Sequence, residues 1–160
     1  MSHKLSRVFS AVTCVCALGY SSGAQASDQL ERIQRVVADL KSQLAISQTV
    51  DVKIVETNAR LFSVAPVEHG RATFLLSVEE DFAQALSDAE LKAAVAHELG
   101  HVWIFTHHPF LQTEELANQV ALRLVSRDTL DRVYEKVWQR TGSKGDLAYL
   151  PTKIAAPGTQ

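Results

Sequence analysis

The stretch "AVAHELGHVW", residues 94–103, decides how the rest of the chain is interpreted. It places His97 and His101 four residues apart, with Glu98 directly after the first histidine. On an α-helix each residue turns by about 100°, so the two imidazoles project from one face and converge on one point. Neutral imidazole nitrogens are good ligands for Zn²⁺, so the spacing predicts a metal site on a helix.

Glu98 lies about 100° round the helix from His97, too far to bind the same ion. Its carboxylate is near enough, however, to hold a water molecule bound to zinc and to take its proton. We therefore interpret His97 and His101 as metal ligands and Glu98 as the catalytic base. Gly100 is expected to let another chain segment come close to the helix.

The residues before and after this stretch predict a helix over residues 88–106. Ser87 and Glu90 have the spacing of a capping box, in which each side chain satisfies a backbone N–H at the helix start. Pro109 disfavours helical geometry at the residue before it, which ends the helix. The two histidines are therefore expected in the middle of a helix rather than in a loop.

A catalytic zinc site needs a third protein ligand and an open position for water. The segment "TEELANQVALRL" offers Glu114 in the pattern E-x-x-A-N, on a predicted helix over residues 113–126. Ala117 and Ala121 are small enough to let this helix approach the first one closely. Asn118 is then expected to brace a ligand histidine.

Two other residues compete for the role of third ligand. His107 has the spacing of the metzincin pattern, but Ile104 replaces the glycine at which that helix must break, and the chain's only methionine is Met1. Glu115 points about 100° away from Glu114 on a helix. We therefore expect Glu114 to complete the site and one Zn²⁺ per chain to be the cofactor.

Hydrophobic periodicity elsewhere predicts an α+β fold. The other predicted elements are a helix at 28–47, strands at 49–56, 58–66 and 72–80, a short helix or loop at 79–86, and a helix at 128–140. The strand at 58–66, "NARLFSVAP", is our candidate for the sheet edge that pairs with an extended substrate.

Residues 1–26 have the layout of a secretory signal peptide. Lys4 and Arg7 precede an apolar run, and the segment ends in Ala24-Gln25-Ala26. The run is shorter than the roughly 20 residues of a membrane-spanning helix. We therefore expect cleavage after Ala26 and export to the periplasm or the cell exterior, with no stable membrane span afterwards. The alternative is that the segment is retained as an anchor.

Composition limits the classes of partner. Cys14 and Cys16 both lie in the expected leader, so no disulfide is expected in the exported domain. Without the leader, 14 of the 16 basic residues remain beside all 18 acidic residues, which argues against binding to nucleic acid. Residues 27–142 suffice for one compact domain, and residues 143–160 are expected to form an irregular tail.

The run "LSDAELKAAVAHELGH", followed by "EELANQVALRL", resembles the motifs of peptidase family 48 of the metallopeptidases, the HtpX- and Oma-type group. The resemblance covers roughly residues 52–140. It implies a zincin-like (gluzincin) fold, zinc at His97, His101 and Glu114, and Glu98 as general base. The chain departs from the family pattern at Asn118, where the family has aspartate, and in the short connection between His101 and Glu114.

We therefore predict a zinc-dependent metalloendopeptidase that hydrolyses protein or peptide substrates, with any activating partner unknown. The alternatives are a non-catalytic zinc-binding assembly factor or chaperone with the same core, and a small helical binding domain without metal. A donor to the transition-state oxyanion is also expected. The candidates for that donor, among which the sequence does not choose, are Arg123, Tyr134, His107 and His69.

Overall fold

The computed structural model describes residues 22–67 and 72–142. The predicted tail at 143–160, His69 and most of the predicted leader lie outside these residues. The elements in chain order are α1 (Ser22–Gln43), β1 (Thr49–Val55), β2 (Phe62–Pro66), β3 (Thr73–Glu79), α2 (Glu80–Gln84), α3 (Asp88–His107), α4 (Glu114–Ala121) and α5 (Arg127–Thr141). The fold is α+β, as the periodicity predicts. No helix in the described ranges is long and apolar enough to cross a membrane.

The sheet has three strands in the order β1-β3-β2. β1 runs parallel to β3 and β2 runs antiparallel to it, so that Val52 and Val64 lie on opposite sides of Leu76. β2 is therefore an edge strand, and it packs beside α3. This arrangement brings one sheet edge next to the helix that carries the histidines.

α3 is the central helix and contacts α1, α4, α5 and β2. Leu91, Val95 and Leu99 are fully buried, as expected for a helix that packs against neighbours on several sides. The predicted capping box is present, since the Ser87 N–H donates to Glu90 Oε2 at 2.9 Å and the Ser87 hydroxyl accepts from the Glu90 N–H. The helix thus begins where the sequence indicates.

β2 is shorter than predicted, because residues 58–61 form a turn. The Leu61 N–H donates to the backbone oxygen of Asn58, and Leu61 has a positive φ of 65°. The Asn58 side-chain amide donates to Ser63 Oγ and to the Ser77 carbonyl, which ties the turn to the sheet. An asparagine that satisfies backbone groups in this way favours a turn over a strand.

α4 ends at Ala121 rather than at residue 126. The apolar pattern continues to Val125 without glycine or proline, so the sequence contains no obvious stop signal. The Ser126 hydroxyl accepts from the Thr129 N–H and caps α5, so the chain must leave α4 earlier to allow a new helix direction. The early end makes α4 a short helix whose first turn carries Glu114.

Ion pairs fasten α5 to the start of α3 and to the end of the sheet. Lys136 Nζ lies 2.8 Å from Glu90 Oε2, and Arg140 lies 2.9 Å from Glu79 Oε1. Both carboxylates are largely buried. The Lys136 pair joins α5 to the start of α3, and the Arg140 pair joins α5 to the end of β3.

Candidate metal centre

His97, His101 and Glu114 bring three ligand atoms together at the junction of α3 and α4. The Nε2 atoms of the two histidines are 3.2 Å apart. Glu114 Oε2 lies 3.0 Å from Nε2 of His97 and 3.4 Å from Nε2 of His101. Within the described residues, these three side chains form the one group able to hold a metal ion.

The dimensions of this triangle fit a zinc ion. Tetrahedral coordination with Zn–N and Zn–O bonds of about 2.0–2.1 Å separates the ligand atoms by about 3.3 Å. The three separations in the structure, 3.0, 3.2 and 3.4 Å, bracket that value. Two imidazoles and one carboxylate also match the ligand set of catalytic zinc, which leaves the fourth position to water.

The charges of the site also favour a cation between the ligand atoms. Three atoms that each direct a lone pair to one point repel each other unless a proton or a metal ion lies between them. Burial lowers the pKa of His97, but its hydrogen bond to Glu114 and the charges of Glu98 and Glu114 raise it more. Hydrogen bonds from His101 and His97 hold the pKa of Glu114 far below its usual range. Positive charge is therefore stabilised at this point.

Close packing of two helices delivers Glu114 to the histidines. A Cβ atom built on Gly100 of α3 would lie 2.7 Å from the backbone oxygen of Ala117 in α4, so the helices approach to backbone contact there. Ala117 and Ala121 are fully buried. The Thr113 hydroxyl caps α4 by accepting from the Leu116 N–H, which places Glu114 in the first turn of the helix.

Glu98 lies beside the ligand triangle with only 8% of its surface exposed. Burial raises the pKa of its carboxyl group, against the opposing effect of the His97 and His101 imidazoles. The backbone of Val64, in the edge strand β2, has a smaller effect and lowers this pKa. A buried carboxyl group with a raised pKa is suited to accept and return a proton near neutral pH.

Behind His97, on the side of the ring away from the triangle, lies Asn118. Its side-chain oxygen is 2.8 Å from Nδ1 of His97 and accepts a second hydrogen bond from the Tyr134 hydroxyl, also at 2.8 Å. Asn118 is fully buried. When the His97 Nδ1–H donates to this oxygen, the Nε2 lone pair is left facing Glu114 and His101.

His107 and Glu115, the other two candidates for the third ligand, lie away from the ligand triangle. His107 is exposed and stacks on Trp103 at a centroid distance of 4.3 Å, where its Nδ1 also lies 2.8 Å from the Trp103 carbonyl. Glu115 is exposed and accepts a hydrogen bond from Gln119. Of the oxyanion-donor candidates, Arg123 lies over the Trp103 ring and Tyr134 lies at the site, whereas His69 falls outside the described residues.

Two cavities open on either side of Glu98. The first, of about 370 Å³, is mostly apolar and lies between α3, α5 and the start of β2. Its apolar walls are Phe62, Phe82, Ala94, Leu130, Val133 and Val137. The second, of about 250 Å³, lies along β2, with Ser63, Val64 and Pro66 on one side and His101 and Gln112 on the other.

Arg60 lines both cavities together with Glu98 and Phe62. Arg60 lies in the turn before β2 and is exposed. Sequence reasoning missed this arginine, because a single cation in a polar turn has no spacing or pattern that would separate it from ordinary surface residues. Its position depends on the turn, in which the Arg60 N–H donates to Asn58 Oδ1 and Asn58 is bound to the sheet.

No protein-family model and no curated protein matches this chain.

Proposed function

We propose that the protein is a zinc-dependent metalloendopeptidase with a zincin-type core, related to peptidase family 48. The observation that supports this most strongly is the ligand triangle of His97, His101 and Glu114, whose separations of 3.0–3.4 Å correspond to one face of a zinc tetrahedron. The buried carboxylate of Glu98 beside it supplies the base that hydrolysis requires.

Zinc bound here would polarise the scissile carbonyl and lower the pKa of a coordinated water to about 7. Glu98 accepts the proton of the attacking water and donates it to the nitrogen of the leaving amine. Packing around Glu98 leaves 8% of its surface exposed, and the two cavities that it lines give a substrate access to its carboxylate. Asn118 keeps the His97 ring turned toward the ligand triangle.

β2 provides the edge along which an extended peptide can bind. Because antiparallel pairing is slightly more stable than parallel pairing, the substrate runs from the Pro66 end of β2 toward Phe62. Its amino-terminal part then lies along the second cavity, and the residue after the scissile bond lies at the first. The first cavity is apolar, so a large apolar side chain is favoured at that position.

Cavities on both sides of Glu98 favour cleavage within a chain over removal of a terminal residue. The layout of residues 1–26 supports action in the periplasm or outside the cell. The substrates that fit these features are exported proteins or peptides with accessible extended segments.

Glu98→Gln tests the reaction, with Glu115→Gln as the matched control. Wild type is expected to carry one zinc and to cleave members of a peptide library, and a chelator should stop cleavage. Glu98→Gln should keep the zinc and lose activity by about a hundredfold or more, while Glu115→Gln keeps both. A zinc-loaded wild type that cleaves nothing would instead support the non-catalytic assembly factor or chaperone. Activity retained in Glu98→Gln would refute the assigned role of this residue.

A further inference from the structure

We infer that Tyr134 is a positioning residue for the metal site: through Asn118 it keeps the His97 imidazole in the tautomer that leaves Nε2 free to bind metal. Neither Tyr134 nor the rest of α5 belongs to the motifs that predict the site. The inference rests on the proposed function only in requiring that the site binds zinc.

The hydrogen bonds around Asn118 carry the argument. The Asn118 side-chain oxygen receives two donors, the Tyr134 hydroxyl at 2.8 Å and the His97 Nδ1–H at 2.8 Å. A carbonyl oxygen has two lone pairs and can accept both. The Tyr134 oxygen lies 3.3 Å from Nδ1 of His97, so the three groups form one compact cluster.

The orientation of the Asn118 amide decides which nitrogen of His97 can bind metal. If the amide were reversed, its NH₂ group would face Nδ1, and the ring proton would have to move to Nε2, where it blocks the metal. In the present orientation the Tyr134 hydroxyl donates to the amide oxygen at 2.8 Å. After a reversal it would have to accept from the NH₂ group and turn its own hydrogen to another acceptor, such as Nδ1 of His97 at the longer distance of 3.3 Å, and this weaker hydrogen bond opposes the reversal. An aspartate at this position would have no NH₂ end and no such ambiguity.

The amide nitrogen of Asn118 also bears on the orientation of the side chain. Asn118 Nδ2 is buried and has no hydrogen-bond partner among the described residues. A buried N–H group without a partner destabilises the folded state. Within the described part of the chain, the amide oxygen thus has two hydrogen-bond partners and the amide nitrogen has none.

The hydroxyl of Tyr134 is poorly placed for the alternative role of oxyanion donor. It lies on the Nδ1 side of His97, whereas the ligand triangle lies on the Nε2 side. Its edge-to-face contact with the His97 ring, at a centroid distance of 5.9 Å, also fixes it behind the ring. α5 is held in this position by the ion pair of Lys136 with Glu90.

The test measures the zinc dissociation constant by competition with a chelator. Tyr134→Phe should weaken zinc binding about tenfold, as for other groups that orient a ligand histidine. Glu135→Gln, an exposed substitution on the next residue of α5, should change zinc binding by less than about twofold. In the zinc-loaded protein, the His97 Nδ1–H proton should exchange with solvent faster in Tyr134→Phe than in wild type, and Glu135→Gln should leave that exchange unchanged.

Asn118→Asp provides the rescue. A carboxylate accepts the His97 proton in either orientation. Tyr134→Phe should therefore weaken zinc binding about tenfold when residue 118 is asparagine, and by less than about twofold when it is aspartate. Equal zinc affinity in wild type and Tyr134→Phe would overturn the inference and leave the proposed function standing. Equal weakening by Glu135→Gln, or no rescue by Asn118→Asp, would also overturn it. A wild type that binds no zinc would overturn both.

Discussion

Gly100 and Ala117 join α3 to α4 through direct backbone contact. A side chain at position 100 would begin 2.7 Å from the Ala117 carbonyl oxygen and 3.0 Å from its Cα atom, distances at which the backbone must move. Glu114 lies one turn before Ala117 on the same short helix, so the spacing between the helices determines whether its carboxylate reaches the histidines.

Gly100→Ala is therefore expected to weaken zinc binding as well as stability. Overpacking of this kind costs about 1–3 kcal/mol in the free energy of unfolding, and the displacement of α4 should raise the zinc dissociation constant at least tenfold. Ile33→Ala, a buried substitution on α1, should cost about 2–5 kcal/mol and leave zinc binding unchanged in the folded fraction. Zinc titration with parallel urea unfolding checks both, and unchanged zinc affinity in Gly100→Ala would contradict the role of this contact.

Val137→Phe is expected to change specificity. Val137 lies on the α5 wall of the apolar cavity, and a larger side chain there fills space that the substrate would otherwise use. The value of kcat/KM should fall about tenfold or more for peptides with an aromatic residue after the scissile bond, and little for peptides with alanine there. Mass spectrometry of peptide-library digests gives kcat/KM for both sets of peptides. Equal losses for the two peptide sets would exclude this cavity as the specificity pocket.

Arg60→Ala is expected to lower kcat/KM about tenfold without loss of zinc. Arg60 lies at the rim of both cavities beside Glu98, where its guanidinium can donate to a substrate carbonyl oxygen, and one hydrogen bond to a charged group contributes about 1.5–3 kcal/mol. Arg35→Ala, an exposed arginine on α1, is the control and should have no effect. Wild-type activity in Arg60→Ala would remove this arginine from the substrate site.

Because of Glu90, the free energy of unfolding is expected to fall in acid. Its hydrogen bond from Lys136, together with those from Ser87, lowers the pKa of Glu90 from 4.5 to about 2 despite burial. Because the pKa is lower in the folded state, the stabilisation is complete above about pH 4.5 and is lost as the pH falls toward 2.

Glu90→Gln keeps a capping side chain but removes this charge. Because Lys136 is about one-third exposed, the variant should lose of the order of 2 kcal/mol in the free energy of unfolding at pH 7. This difference from wild type should narrow between pH 4.5 and 2. Urea unfolding at several pH values measures the difference in unfolding free energy, and Glu31→Gln, at an exposed residue, is the control. A gap that stays constant down to pH 2 would contradict the lowered pKa.

The local features of the site could be predicted from the sequence. The boundaries of α3 follow from the capping box at Ser87 and from Pro109, and the spacing of His97 and His101 follows from the helical repeat. Glu114 could be chosen because the small residues of α4 indicate close packing against a helix that carries a glycine. These inferences use residues that lie near each other in sequence or on one helix face.

The remaining features depend on tertiary packing. Tyr134 is 37 residues from His97 and reaches it only because α5 docks on α3. Val64 and Glu98 line the same cavity because β2 is an edge strand beside α3, which strand propensity alone does not specify. The turn before β2 and the early end of α4 depend on side chain–backbone hydrogen bonds of Asn58 and Ser126, which compete with a regular pattern.

The measurement that tests the central claim most directly is the zinc content per purified chain, determined by elemental analysis. Wild type and His107→Ala should each contain one zinc, because His107 lies against Trp103 and outside the ligand triangle. Glu114→Ala should lose the metal or bind it far more weakly, since two imidazoles alone remain. Wild-type protein without zinc, or a zinc content that Glu114→Ala leaves unchanged, would contradict the assignment of this site.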